Sequence, residues 1–392
     1  MDKNNGAIYD ARKLGKPKMI ILGVQHMFAM FGATILVPIL TGLDISTTLL
    51  MAGLGTLLFH CITKFKVPAF LGSSFAFLGG YAAIKAFSPN DPNSMLPYAC
   101  LGVACAGLIY FILAAVIKAV GIEKVMRFFP PVVTGPIIIA IGLGLAPSAV
   151  SNCTTNWFLA VVALAVIVVF NIWGKGMAKI IPIILGLLIS YGTGLVLYFI
   201  SQANPDLIQN VPWLFSGGAD ANGVYQPIFD FTSLNTICDN ISKGHIFGSE
   251  GLIGIPIHWD KTVFGGIDYS NGALIASSII AIVPIAFATM MEHIGDICAI
   301  SSTTGNNYIK DPGLHRTLVG DGLATTLASL FGGPANTTYG ENTGVLALTR
   351  VYDPRVIRIA AYFAVAVSFF PIVSVIIGSI PSCIIGGISF VL

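Results

Sequence analysis

Charge is what this sequence has least of. One residue in ten is Asp, Glu, Lys or Arg, where a soluble domain averages roughly one in four. A water-facing globular surface over most of the chain is therefore excluded. The seven cysteines (61, 100, 105, 153, 238, 298 and 383) contain no CxxC pair, which removes the thiol metal knuckle and the dithiol redox motif. HExxH, GxSxG and the phosphate-binding glycine loop are missing as well, and with them the usual motif chemistry of zinc proteases, esterases and nucleotide-cleaving enzymes. No cleavable leader is expected: the first 18 residues are polar and run straight into a long apolar stretch.

What is present is apolar. Hydrophobic residues make up 55% of the chain and the mean hydropathy is +0.85. Runs of about 20 apolar residues, each long enough to cross a bilayer, recur from Met19 onward. The class is an all-α polytopic membrane protein, with the lipid bilayer as its solvent. Spans are expected at 19–40, 47–63, 67–87, 98–117, 132–149, 157–173, 180–200, 272–299, 316–332, 334–349 and 357–379. A twelfth opens near Pro381 and stops inside an apolar stretch at Leu392, so a chain incomplete at its C-terminus is expected.

The connections orient these spans. With residues 1–18 as a cytoplasmic tail, 17 of the 20 Lys and Arg fall on the inner side, and only Lys85, Lys243 and Lys261 fall elsewhere. That is the positive-inside pattern of a cell-membrane protein. The outer connections carry Asp44, Asp91 and a long polar loop, 201–271, with Trp213 and Trp259. Cys153 and Cys238 would share that side; free thiols are preferred there, with a disulfide as the alternative.

A repeat is visible. Ala52-Gly-Leu-Gly-Thr-Leu-Leu58 resembles Asp321-Gly-Leu-Ala-Thr-Thr-Leu327, and each is followed by a proline-initiated, glycine-broken span: Pro68-Ala-Phe-Leu-Gly-Ser-Ser-Phe-Ala76 and Pro334-Ala-Asn-Thr-Thr-Tyr-Gly340. The copies are seven spans apart. Seven is odd, so they insert in opposite directions. Interrupted segments paired in this way mark the binding site of inverted-repeat transporters. Irregular backbone at membrane depth is tolerated only when buried in protein or lining a cavity.

Four acids lie within the spans: Glu292, Asp296, Asp321 and Glu341, with His26, His60 and His293 beside them and no Lys or Arg deep enough to pair. A mid-helix acid costs roughly 2.5–3.5 kcal/mol to insert, and a carboxylate withdrawn from water gains by binding a proton. These groups are candidate proton carriers. Glu292 and Asp296, at i and i+4, share a helix face; the bland reading of Glu292 is a protonated acid bonded to a neighbouring helix. A metal held by Glu292, His293 and Asp296 is disfavoured, because three such close ligands cannot converge from one helix. For Asp321 a structural hydrogen bond and a direct role stand level, as they do for His26. Asn336 and Asn342 suit a ligand or freed backbone equally. Phe75 and Tyr339 are core residues or stacking faces. Acids without basic partners, broken-helix amides and aromatics together suit a small, neutral, planar solute such as a pyrimidine base. No cofactor is called for beyond a proton as co-substrate.

Five motifs carry a resemblance: Gln25-His26-Met-Phe-Ala-Met-Phe-Gly-Ala-Thr, Leu71-Gly-Ser-Ser-Phe-Ala-Phe77, Glu292-His-Ile-Gly-Asp296, Asp311-Pro-Gly-Leu-His-Arg316 and Asn336-Thr-Thr-Tyr-Gly-Glu-Asn342. In this order they resemble the nucleobase–ascorbate transporter family over nearly the whole chain. The resemblance implies 14 segments in two inverted seven-segment repeats, about 11.5 of them present here, with short crossing strands in segments 3 and 10. It implies a core domain from 19–121 and 272–380. A gate domain would come from 122–200 and from 381–392, the start of segment 12, with 201–271 an extracellular insertion.

The resemblance also implies the function and its residues. Glu292 and Glu341 would hold the base, backbone N–H groups of Phe75 and Gly340 would take a ring carbonyl, and Tyr339 would pack beside it. His26 would bond towards Glu341, with Asp296, Asp321 and Asn342 supporting proton coupling. The implied activity is proton-coupled uracil import by alternating access of core against gate, not catalysis. Some uracil-transporting members have His and Asn where Asp296 and Asp321 stand, so a xanthine or guanine symporter is the alternative; Tyr339-Gly-Glu-Asn342 is of the pyrimidine type and decides for uracil. An anion transporter on the same fold would need a basic residue at the site. The partners implied are the base and the bilayer, with a homodimer among the assemblies allowed and no nucleic acid.

Overall fold

The computed structural model describes residues 7–121, 124, 131–179, 181–220 and 222–391. Lys3 and Arg127, two of the basic residues counted to the inner side, lie outside them. The chain divides into two compact units, residues 1–139 with 255–370, and residues 140–254 with 371–392.

In the first unit α1 (Lys16–Thr41) opens on Pro17 and stops at Gly42, whose φ of 85° lets its N–H close on the Pro38 carbonyl. A glycine is what a left-handed helix stop calls for. The next helix, α2 (Ile45–Ile62), is capped by Asp44, which accepts from Thr47 N–H at 2.7 Å. Then the helical pattern breaks. Strand β1 is Leu71–Ser73, a 3₁₀ turn covers Phe75–Phe77, and α3 runs only from Leu78 to Lys85. After α4 (Leu96–Val120) the unit resumes with α9 (Gly272–Ile282), which passes through a 3₁₀ turn at Pro284 into α10 (Ala286–Thr304). Helix α11 (Leu314–Leu330) leads to the second interruption: β4 (Asn336–Thr338), α12 (Gly340–Thr349) and finally α13 (Pro354–Ser368).

Close backbone approach holds these helices together, as expected where lipid gives no hydrophobic drive for association. Helices α4 and α11 meet at Gly107 and Gly322; a Cβ on either would lie within 2.8 Å of the other's carbonyl oxygen. Phe59, Phe70 and Tyr110, all sealed from solvent, fill the space around them.

The second unit contains α5 (Pro131–Cys153, from Ala140 on), α6 (Trp157–Trp173) and α7 (Pro182–Ala203). It continues with a hairpin of β2 (Ser216–Ala219) and β3 (Tyr225–Pro227), helix α8 (Thr232–Ser242), and the short helices α14 (Pro371–Gly378) and α15 (Ser382–Ser389).

Several sequence expectations need correction. The span 357–379 is two helices, not one: α13 ends at Ser368, and Pro371, which has no N–H to continue it, starts another. The first unit ends between them, at Phe370. In the second unit the end of α5 packs on α15, with Ala149 and Cys153 against Gly386. The 201–271 insertion is not one element. Asn156 holds its first part, its side-chain amide donating to Ser216 O at 2.8 Å, whereas residues from Ile255 belong to the first unit, where Thr47 donates to Pro256 O at 2.7 Å and Asp268 N–H donates to the Tyr98 hydroxyl at 3.0 Å. Five helices among the described residues are long and apolar enough to cross a membrane, fewer than the expected spans because several of those are broken or shorter. All seven cysteines are free thiols; Cys153 is buried and Cys238 exposed.

Candidate functional site

The two interruptions meet. Strands β1 and β4 pair antiparallel with Leu71 opposite Thr338, Gly72 opposite Thr337 and Ser73 opposite Asn336. The ladder is extended by Tyr339 N–H to Phe70 O (3.0 Å) and Ser74 N–H to Ala335 O (2.9 Å). Each strand is anchored by the same residue of the repeat. Thr56 Oγ1 accepts Leu71 N–H at 2.9 Å, and Thr325 Oγ1 donates to Asn336 O at 2.6 Å; Leu71 and Asn336 are the first residues of their strands.

A helix starts directly beyond each strand, at Phe75 and at Gly340, and neither start has a side-chain cap. The first N–H groups of a helix have no partner inside it, so the paired strands bring two sets of donor amides to one place. Gly340 is exposed and has open space above its Cα. Glu341 follows in the first turn of α12, where the helix dipole favours an anion by about 0.3–1 kcal/mol.

Helix α10 supplies the other acids. Glu292, Asp296, Phe75 and Glu341 are all half-buried, and Gly295 beside Asp296 is open. Glu292 lies one turn before Asp296 on the same face of α10. Asp296 is fixed by the crossing strand, since Thr338 Oγ1 donates to its Oδ2 at 2.7 Å. Behind it lies a sealed pair: His293 Nδ1 is 3.2 Å from Asp321 Oδ2 and 3.5 Å from Thr338 Oγ1, with both His293 and Asp321 at 0% exposure. Asp321 thus sits in a buried pair rather than at the open face. No Lys or Arg occurs in β1, β4, α10 or α12.

Two expected contacts differ. His26 does not bond Glu341. Its partner is Asn342, whose amide donates to His26 Nδ1 at 3.1 Å and to the His26 carbonyl at 3.0 Å. Helical spacing explains this: Asn342, one residue past Glu341, points about 100° away from it and faces α1. With Nδ1 accepting, the ring proton sits on Nε2, which has no partner among the described residues. Tyr339 does not offer an open stacking face either. Its ring lies over Gly72, and its hydroxyl accepts from Thr34 Oγ1 (3.2 Å) and donates to Ser73 O (2.9 Å). A strand residue next to a glycine has only that flat surface to pack on, so the ring becomes a strut between β4, β1 and α1. Asn336 serves backbone, donating to Met51 O at 2.9 Å.

Sequence reasoning missed Thr338 as a holder of Asp296 and weighed His293 only as a disfavoured metal ligand. A signal for the first was present in the doubled hydroxyls Ser73-Ser74 and Thr337-Thr338; none separates His293 from an ordinary buried histidine.

A family model described as a permease family matches residues 17–392. The chain belongs to the nucleobase–ascorbate transporter family. It is 38% identical to a uracil permease of Bacillus caldolyticus over 95% of this chain and 76% of that protein. Identity to a uracil permease of Bacillus subtilis is 37%, over 95% and 77%. The fold is shared with the transmembrane domain of a cyanobacterial bicarbonate transporter, BicA, at a TM-score of 0.60 and 14% identity, covering 98% of this chain and 88% of that one. The family assignment makes this a multi-pass membrane permease rather than an enzyme.

Proposed function

We propose that this permease imports uracil together with a proton by alternating access. One observation carries the reading: Glu292, Asp296 and Glu341 gather around two uncapped helix starts with no basic residue on the elements that bear them. Uracil has ring N–H donors for carboxylates and carbonyl oxygens for the amides of Phe75 and Gly340. Relatives named uracil permease at 37–38% identity support the same solute.

The proton enters because the acids lack counter-ions. Holding several carboxylates together out of water is costly unless at least one is protonated. Protonation on one face of the membrane and release on the other would couple uptake to the proton gradient. The distribution of Lys and Arg supports a cytoplasmic N-terminus in the cell membrane.

The test is labelled-uracil uptake into vesicles, with and without an imposed inside-alkaline pH gradient, for wild type and Glu341→Gln. Gradient-driven accumulation by wild type, lost in Glu341→Gln, is expected. Equal, gradient-independent uptake by both would refute the mechanism. Competition by xanthine in place of unlabelled uracil would move the assignment to a purine symporter.

A further inference from the structure

The segment before α1 is not a loose end. Terminal residues are usually poorly ordered unless tied down, and fixing each one costs about 1–2 kcal/mol. Here residues 8–11 are tied at four points. Ile8 forms a two-sided bridge with the chain beyond α12, donating its N–H to Arg350 O and accepting from Tyr352 N–H, both at 2.8 Å. Tyr9 donates its hydroxyl to Thr304 O at 2.7 Å and sets its ring edge-on to Tyr352, 5.5 Å between centroids. Asp10 pairs with Arg355 at 3.1 Å, and Ala11 N–H donates to Asp353 Oδ2 at 2.7 Å. Ala11 is fully buried in a small apolar cluster with Val351 and Val356.

The attachment points are specific. Thr304 is the last residue of α10, the helix of Glu292 and Asp296; Arg350 follows the last residue of α12, the helix of Glu341. At 1.5 Å per residue the ties lie roughly 12–18 Å along those helices from the acids. Helix α12 has ten residues, below the roughly 12–15 at which a helix has marginal stability by itself. It is held from outside at both ends. At its start Asn342 binds His26 of α1, and at its end the segment leading into α1 binds Arg350 and Tyr352. The same stretch of chain brackets α12 at both ends and reaches α10 through Tyr9.

We propose that residues 7–14 are a positioning strap that sets α12 against α10, and thereby the spacing of Glu341 from Glu292 and Asp296. This rests on uracil being the solute of that site. None of the strap residues touches it.

Coupling between strap and site must be reciprocal: if releasing the strap weakens uracil binding, bound uracil must tighten the strap by the same factor. Two readouts on the detergent-solubilised full chain test this. Ile8→Pro removes the donor to Arg350; the uracil Kd is expected to rise about three- to tenfold, the range to which the loss of one hydrogen bond converts. Ala11→Cys, with the exposed Cys61 and Cys238 changed to Ser, is expected to react slowly with a maleimide, and more slowly still with saturating uracil. A strap that merely anchors the terminus would show no uracil effect on labelling. Should Ile8→Pro fail to fold, Tyr9→Phe, which removes only the bond to Thr304, serves instead, with a rise of about two- to fivefold expected. Wild-type binding with an unaltered variant Kd and uracil-independent labelling overturns the strap alone. Absence of uracil binding by wild type overturns the substrate reading, and the strap proposal with it.

Discussion

His293 Nδ1 lies 3.2 Å from Asp321 Oδ2, and neither side chain meets solvent. The pair stands one step behind the open face, since Thr338 approaches His293 at 3.5 Å and holds Asp296 at 2.7 Å. Removing one partner of a buried pair leaves the other uncompensated, at a cost of about 3–5 kcal/mol. His293→Leu is therefore expected to lower thermal stability sharply, and adding Asp321→Asn should recover part of the loss. Thermal unfolding of the two single variants and the double variant measures this. Strictly additive losses would mean that the residues do not act as a pair.

Thr338 is the link between strand and acid. Thr338→Val keeps the shape of the strand and its backbone ladder but removes the donor to Asp296, a bond to a carboxylate worth about 1.5–3 kcal/mol when the acid is ionised. Reduced uracil uptake is expected, with Thr338→Ser restoring most of it because the hydroxyl returns. Wild-type uptake by Thr338→Val would remove Asp296 from the working part of the site.

Two glycines separate fold from function. A Cβ at Gly340 would enter open space, whereas one at Gly72 would be driven into the Tyr339 ring. Gly340→Ala should fold normally and bind uracil less well, its methyl group standing where the base meets the α12 amides. Gly72→Ala should instead lower stability, by the roughly 1–3 kcal/mol of an overpacked core. Thermal unfolding and uracil binding measured on both variants give the comparison. The opposite assignment of losses would mean that the open face is not where the base sits.

Much of this was legible beforehand, for physical reasons. Lipid excludes unpaired backbone, so Pro334–Gly340 and Pro68–Ala76 could not be ordinary spans, and their opposite insertion implied that they meet. The short repeat proved meaningful at one residue: Thr56 and Thr325, at matching positions of the two copies, anchor the first residues of β1 and β4. Contacts set by side-chain direction were harder to read. Whether His26 meets Glu341 or Asn342 depends on about 100° of helix rotation, and composition carries no record of it. Tyr339 could be read as core or as a stacking face, because its packing surface, Gly72, is 267 residues away in the chain and becomes its neighbour only through the strand register. The break at Pro371 was visible as a residue, but a proline can bend a span or end it.

The strap brings its own pH prediction. Asp10 accepts from Arg12 Nε and Nη2, each at 2.8 Å, and this bonding, with Arg355 nearby, holds its carboxyl well below the usual carboxylate range. A group whose folded value is depressed contributes stability above its unfolded value, near 4, and loses it only as the pH falls further. The ion pairs that Asp10 makes with Arg12 and Arg355 are therefore constant between pH 5 and 8. Variation of uptake in that window therefore does not arise at Asp10, and the acids of the site are its proposed source. Asp10→Asn is accordingly expected to weaken uracil binding while leaving the shape of the uptake–pH curve unchanged, whereas Glu341→Gln should flatten it. Uptake measured across pH 5–8 at a fixed membrane potential reads both. A changed curve in Asp10→Asn would place part of the proton response in the strap, and the division of labour between strap and acids would have to be redrawn.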